Sequence, residues 1–207
     1  MMARRPDVAI IDYGMGNLGS VAKAFASLGV AAAVTRSPEM IAAAARVVLP
    51  GVGAFGDCMD TIRRCGLDRI IYQAIADDKP FLGICLGLQL LFEGSEEAPG
   101  VSGLGVFPGF VRKIEAPGLK VPHMGWNRLQ FRADGGLFAQ LPAAPFVYFV
   151  HSYHAVPLEP SLVTAVAAYG GEVTAAVGRG RVQAVQFHPE KSSAAGMHIL
   201  QNFLAVE

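Results

Sequence analysis

Short apolar runs alternate with amphipathic stretches through the first half of the chain. Val8 to Tyr13 reads as a buried strand; Leu18, Val21, Ala22, Phe25 and Leu28 then recur at helical spacing, with Gly29 as the stop. Ala31 to Thr35 and Val47 to Leu49 predict further strands, and helical stretches follow at Phe55 to Cys65 and Leu67 to Ala76, split by Gly66. Pro80 to Cys85 is another apolar run, and from Leu86 the pattern turns helical, with Leu86, Leu90 and Leu91 on one face. Strands alternating with helices predict a parallel sheet covered on both sides.

The second half is more strand-like. Val106 to Ile114, Phe146 to Val156, Val163 to Tyr169, Glu172 to Val177 and Arg181 to Phe187 are rich in β-branched and aromatic residues. Gly170-Gly171 and Gly178-Arg179-Gly180 read as hairpin turns, and Ser193 to Val206 as a closing helix capped by Ser192 or Ser193. No repeat or linker interrupts the pattern. The expectation is one α/β domain over 1–207: a flavodoxin-like, open, mostly parallel sheet with helices on both faces and an additional antiparallel section.

Charge and composition narrow the class. Lys plus Arg and Asp plus Glu number 17 each, so the net charge is zero and neither a nucleic-acid footprint nor a polybasic membrane patch is expected. Charged residues are 16% of the chain, against roughly 25% in ordinary soluble proteins. A buried parallel sheet accounts for part of that shortfall and a buried partner interface for the rest. No apolar stretch approaches the roughly 18 residues of a membrane span. The basic start, Met1 to Pro6, precedes an apolar segment that stops at Asp12, too short for a secretory signal; a cytoplasmic protein is expected. Three cysteines without a Cys-x-x-Cys pair argue against a disulfide framework or a zinc-thiolate site, and Cys58 and Cys65 read as structural.

Cys85 is different. It falls where an apolar run meets a helical pattern, with Gly83 and Gly87 two residues to either side. Such a strand-to-helix turn lifts a reactive atom above a sheet, and the glycines let other groups come close to it. An unperturbed thiol is only a few per cent ionised at neutral pH, so the sulfur needs help. A helix beginning at Leu86 and the imidazole of His188, in Gln186-Phe187-His188-Pro189-Glu190, would supply it. Glu190, two residues on, projects to the same side as His188 in extended geometry and would fix its tautomer. Alone, the pentapeptide also fits a surface His-Glu pair; with Cys85 it reads as a triad. Pro50-Gly51-Val52-Gly53 also leaves a strand for a helix, and the N–H groups of Val52 and Leu86 would form an oxyanion hole. Without the other motifs it is a glycine-rich turn.

These motifs resemble the class I, triad-type glutamine amidotransferases, over nearly the whole chain. Asp12-Tyr13-Gly14-Met15-Gly16-Asn17, Pro50-Gly51-Val52-Gly53-Ala54-Phe55 and His123-Met124-Gly125-Trp126-Asn127 are similar to one branch, the glutaminase subunits of imidazole glycerol phosphate synthases. The resemblance implies Cys85, His188 and Glu190 as catalytic residues, Val52 and Leu86 as oxyanion donors, and no cofactor. It implies that Gly51, Gly53, Gln89 and the strand with Tyr148, His151 and Ser152 hold L-glutamine. It further implies a heterodimer with a cyclase subunit, with Asn17, His123, Met124 and Trp126 at the interface and ammonia exit. The alternatives are another glutaminase of this type, a γ-glutamyl hydrolase, or a non-catalytic binding subunit. Gly14 to Gly19 is a literal G-x-G-x-x-G, but Thr35 and Arg36 stand where a dinucleotide site wants an acid, so that reading is weak. His123, His151, His154 and His188 lack helical ligand spacing and a companion carboxylate, so no metal is expected.

Overall fold

The computed structural model describes residues 6–133 and 135–206. The basic segment Met1 to Arg5 lies outside them.

In the first half, β1 (Val8–Ile11), α1 (Leu18–Ser27), β2 (Ala32–Thr35), α2 (Pro38–Ala43), β3 (Arg46–Gly51), α3 (Phe55–Arg64), α4 (Leu67–Ala76) and β4 (Phe81–Cys85) alternate as the periodicity predicts. Only α2 has no counterpart in that reading. It is one and a half turns long, too short to show a period, and starts from a Ser37 cap whose hydroxyl accepts from Met40 N–H at 3.2 Å. After α5 (Leu86–Gln89) come β5 (Gly109–Lys113), β6 (His123–Arg128), β7 (Gln130–Phe131), β8 (Phe146–His151), β9 (Tyr153–Pro157), β10 (Val163–Ala168), β11 (Glu172–Arg179), β12 (Val182–Val185) and α6 (Ser193–Leu204).

The main sheet runs β2-β1-β3-β4-β12-β11-β10-β7, parallel from β2 to β12 and antiparallel beyond. The pairs β5-β9 and β6-β8 form two small antiparallel sheets. Alternate residues of β1 feed opposite cores: Ala9 and Ile11 pack with α3 and α4 residues such as Met59 and Ile71, while Val8 and Ile10 pack with Phe25 of α1 and Phe203 of α6. Burial on both faces explains why these strands read as continuous apolar runs rather than alternating ones. No helix among the described residues is long and apolar enough to cross a membrane.

Three expectations change. The run Phe146 to Val156 is two strands, broken at Ser152, whose carbonyl accepts from Ile114 N–H at 2.9 Å; β8 then pairs β6 and β9 pairs β5. The segment around Met124 and Trp126, to which the pattern assigns no element, is a strand, β6. The helix after Cys85 is a single turn: the carbonyls of Leu90, Leu91 and Phe92, which would carry it on, accept instead from Leu104, Phe107 and Gly105.

Candidate active site

The strands β1, β3, β4 and β12 lie side by side, and the carboxyl ends of β3, β4 and β12 open on one cavity of about 330 Å³. Open parallel sheets bind ligands at this end.

Cys85 ends β4 at φ 56° and ψ −112°, a backbone conformation that residues with a Cβ avoid. It survives because its surroundings determine it. Gly51 of β3 pairs in register with Cys85, and a Cβ placed on Gly87 would lie 1.9 Å from the Leu49 carbonyl oxygen. The two turns are pressed backbone to backbone, which is what Gly87 is for. Strain held this way lifts Sγ to the floor of the cavity, where Cys85 is 7% exposed.

His188 follows β12. Its N–H donates to the Tyr148 carbonyl at 3.0 Å, and its carbonyl accepts from the Ser192 hydroxyl at 2.6 Å. Ser192 therefore stands at the start of α6 without capping it; its hydroxyl is spent on His188 and on Tyr148 N–H. Pro189–Lys191 form a single 3-10 turn, so Glu190 reaches the imidazole by folding back, not by extension. Glu190 Oε1 accepts from His188 Nδ1 at 2.9 Å, with the two side chains only 1% and 3% exposed. Burial pulls the imidazole's pKa down, but the neighbouring Cys85 sulfur and Glu190 carboxyl group outweigh it and the value rises to about 9. His188 Nε2 has no closed hydrogen bond, which leaves it directed at the sulfur and at whatever enters the cavity.

The residues named from sequence divide as follows. Val52, Gly53, Leu86, Gln89, His151 and Ser152 border the cavity. Gly51 sits behind it, in register with Cys85. Tyr148 does not border it: its backbone props His188 and Ser192, and its ring meets Trp126 edge-on at 6.0 Å. Asn17, expected at the ammonia exit, turns inward, and its Nδ2 donates to Glu190 Oε1 at 3.3 Å. His123, expected at the partner interface, is buried, stacked between Phe149 and Tyr169 at centroid distances of 4.6 and 4.0 Å. Met124 and Trp126 are surface residues, 61% and 52% exposed.

His123 and His151 form a second imidazole pair. His151 Nδ1 donates to the Tyr153 carbonyl at 2.8 Å, so its Nε2 accepts from His123 Nδ1 at 2.9 Å, and His123 Nε2 accepts from Asn127 at 3.2 Å. Burial lowers both, His123 to about 4 and His151 to about 3, so both are neutral. Among the described residues no group of three His, Cys, Asp or Glu is placed to hold a metal ion.

Three residues at the site escape the sequence reading. Gln186 is fully buried; its Oε1 accepts from Gln89 Nε2 at 2.9 Å and its Nε2 lies 3.8 Å from Cys85 Sγ. Tyr153 lines the cavity and its carbonyl also holds Gln89 Nε2, at 3.0 Å. Glu97, on the irregular segment after α5, is a carboxylate at the cavity; one oxygen accepts from Phe55 N–H at 2.8 Å. The place of Gln186 two residues before His188 was the one available signal.

A nucleophile on a strained turn, an imidazole held by a carboxylate and a polar cavity over both are the apparatus of acyl transfer. Comparison with known proteins agrees. The sequence model described as glutamine amidotransferase class-I matches residues 9–206, and the chain belongs to that family. Imidazole glycerol phosphate synthase subunit HisH of Synechococcus elongatus is 51% identical over 206 residues, covering 98% of this chain and 94% of its own. The subunit of the same name from Moorella thermoacetica is 51% identical over 196 residues, covering 95% and 93%. Within the class-I family, the chain groups with these HisH subunits. A solved structure titled as a glutamine amidotransferase superposes with a TM-score of 0.76 at 21% identity, covering 97% of this chain and 98% of that one, a likeness of fold.

Proposed function

We propose that this chain is the glutaminase subunit of an imidazole glycerol phosphate synthase in histidine biosynthesis. It hydrolyses L-glutamine to L-glutamate and ammonia and passes the ammonia to a cyclase subunit. The observation that carries this reading is the meeting of Cys85 with the His188–Glu190 pair on one cavity, in a chain half identical to HisH subunits.

The chemistry follows from the geometry. Cys85 sulfur, as the thiolate, attacks the side-chain amide carbon, and the carbonyl electrons move to an oxyanion held by the N–H groups of Val52 and Leu86. A charged His188 offers the thiolate a counter-ion and then gives its Nε2 proton to the departing ammonia. The neutral imidazole next takes a proton from water, which cleaves the thioester and releases glutamate and the thiol. Glu190 holds Nδ1–H throughout, and neither metal nor cofactor enters. At the cavity wall, Gln89 is fixed by Tyr153 and Gln186, while Glu97 offers a carboxylate suited to the substrate's α-ammonium.

Ammonia released into water is protonated and lost to synthesis, so a consuming partner should cover this end of the sheet. Leu119, Val121, Met124, Trp126 and Phe146 expose apolar surface beside Pro122, which lines the cavity. That patch suits a protein partner, with Trp126 as an anchor.

The test is glutamate release by the full chain mixed with the cyclase subunit. Cys85→Ala is expected to abolish it, and undiminished turnover would overturn the reading. Trp126→Ala is expected to weaken association about tenfold or more by titration calorimetry; unchanged affinity removes the anchor but not the chemistry.

A further inference from the structure

Gln186, fully buried beside the nucleophile, has no step of its own in the catalytic cycle. It follows β12 directly. The parallel register of β12 with β4 reaches Val185 and Ile84, so the next residues of the two strands, Gln186 and Cys85, are neighbours. Its backbone N–H is spent on the Ala175 carbonyl at 2.8 Å. A buried amide needs partners at both ends, or its desolvation goes uncompensated. Gln186 Oε1 accepts from Gln89 Nε2 at 2.9 Å, and Gln186 Nε2 has Cys85 Sγ at 3.8 Å.

The direction of this amide is fixed by a chain of bonds that starts at the backbone. The Tyr153 carbonyl can only accept, so the end of Gln89 that meets it at 3.0 Å is the NH2 group. The same NH2 group meets Gln186, so the Gln186 atom facing it is the oxygen. The other end of Gln186, which carries two N–H donors, is thereby turned to the sulfur. A reversed Gln186 would set two NH2 groups against each other and bury an oxygen against the thiolate. To a thiol, a weak acceptor, 3.8 Å is a loose contact; to a thiolate the same donor makes a charge-assisted bond.

We propose that Gln186 is a further catalytic residue of glutamine hydrolysis: its amide N–H donates to Cys85 Sγ and stabilises the sulfur whenever it carries negative charge. The inference rests on the reading of Cys85 as the nucleophile. The sulfur is anionic twice, before it attacks the amide carbon and again when water cleaves the thioester and the C–S electron pair returns to it. His188 alternates between charged and neutral forms through the cycle. Gln186 has no proton to lose, so its donor meets both moments unchanged. A hydrogen bond made to the charged form favours that form.

The experiment measures alkylation of Cys85 by iodoacetamide against pH, followed by peptide mass spectrometry, with the cyclase subunit present. Gln186→Met removes donor and acceptor at similar length. Gln186→Glu keeps the oxygen that Gln89 uses and sets a carboxyl group where the donor stood. The other titratable groups facing the sulfur or its cavity are the same in every chain: His188 with Glu190 behind it, His151, Tyr13 and Glu97. The pH midpoint of alkylation is expected to rise by about one unit in Gln186→Met and about two in Gln186→Glu, where like charge adds to the lost donor. At pH 7, kcat for glutamine hydrolysis is expected to fall about tenfold and about a hundredfold in the same order. Were Gln186 only a prop for Gln89, Gln186→Glu would be the milder change and neither would move the midpoint. Thermal unfolding checks that each variant is folded. An unmoved midpoint in either folded variant overturns the proposal, as does a smaller shift in Gln186→Glu than in Gln186→Met. The midpoint is read without glutamine, so if the unmodified chain hydrolyses none with its partner, the functional reading falls while the bond to sulfur is still tested.

Discussion

Two buried pairs, His188 with Glu190 and His123 with His151, lie close enough for His188 to act on His151 through its charge, and they end in opposite charge states. His188 has a carboxylate on Nδ1 and a sulfur on its other side, and it holds its proton up to about pH 9. His151 and His123 have each other, a backbone carbonyl and an amide, and burial keeps them neutral down to about pH 3 and pH 4. Burial is a shared starting condition; the partners decide the outcome. A buried imidazole beside an anion becomes a proton store, whereas one beside neutral acceptors becomes a hydrogen-bonded brace. On the proposed reading the first serves chemistry and the second holds the wall on which Ser152 and Tyr153 stand.

The comparison breaks if the two pairs respond alike to substitution. His188→Asn is expected to lower kcat for glutamine hydrolysis about a thousandfold or more, since acid, base and counter-ion vanish together. His123→Asn is expected to cost less than about tenfold in kcat and to show itself as a lower Tm, because a stacked, hydrogen-bonded ring is lost from the interior. Glutamate release with the cyclase present, and thermal unfolding of each chain, measure both arms. Equal falls in kcat would mean that the neutral pair takes part in the reaction.

Opposite pKa shifts also predict opposite pH arms of stability. The unfolded chain titrates its histidines near 6.5, the ordinary value. His188, raised to about 9, adds stability that is fully present below pH 6.5 and lost as pH climbs from 6.5 through 9. His123 and His151, lowered to about 4 and about 3, cost nothing above pH 6.5; as pH falls from there toward 4 the unfolded chain takes up protons the folded chain refuses, and stability drops. The alkaline arm is expected to be on the order of 3 kcal/mol, and the acid arm, to which two groups contribute, larger. Urea unfolding at pH 5, 7 and 9 reads them. His188→Asn should flatten the alkaline arm alone and His123→Asn should lessen the acid arm alone, leaving the share of His151; if either substitution changed both arms, the pairs would be one coupled unit.

The same contrast explains what could be read from the amino-acid sequence. The proposed triad was legible because its chemistry demands particular residues at strand ends, and strand ends announce themselves as apolar runs meeting glycine or proline, as at Cys85 and His188. The alternation of β1 through β4 was legible for the related reason that double-sided burial leaves an unbroken apolar run. The neutral pair was not: His123 lies on β6, a half-exposed strand whose Met124 and Trp126 mimic a loop, and only the pairing of β6 with β8 brings it to His151. Glu97 was invisible because the chain after α5 is held by carbonyl bonds to Leu104, Gly105 and Phe107, which leave no periodic trace. The inward turn of Asn17 and the stop of α5 after one turn are likewise tertiary decisions.

The smallest expected difference is the sharpest test, because each pair carries one asparagine. Asn17 Nδ2 donates to Glu190 Oε1 at 3.3 Å, and Asn127 Nδ2 donates to His123 Nε2 at 3.2 Å and to the Ala168 carbonyl at 2.9 Å. The first bond is charge-assisted but long, and it sits on the oxygen that also holds His188. Asn17→Ala should therefore free the carboxylate to shift under the imidazole and lower kcat about threefold to tenfold, with KM little changed. Asn127→Ala removes a donor that the reaction does not pass through; kcat should stay within about twofold while Tm falls by a few degrees. Steady-state kinetics with the cyclase present, beside thermal unfolding, separate the two. A kinetic effect from Asn127→Ala matching that of Asn17→Ala would tie the brace to the proton store and end the distinction between them.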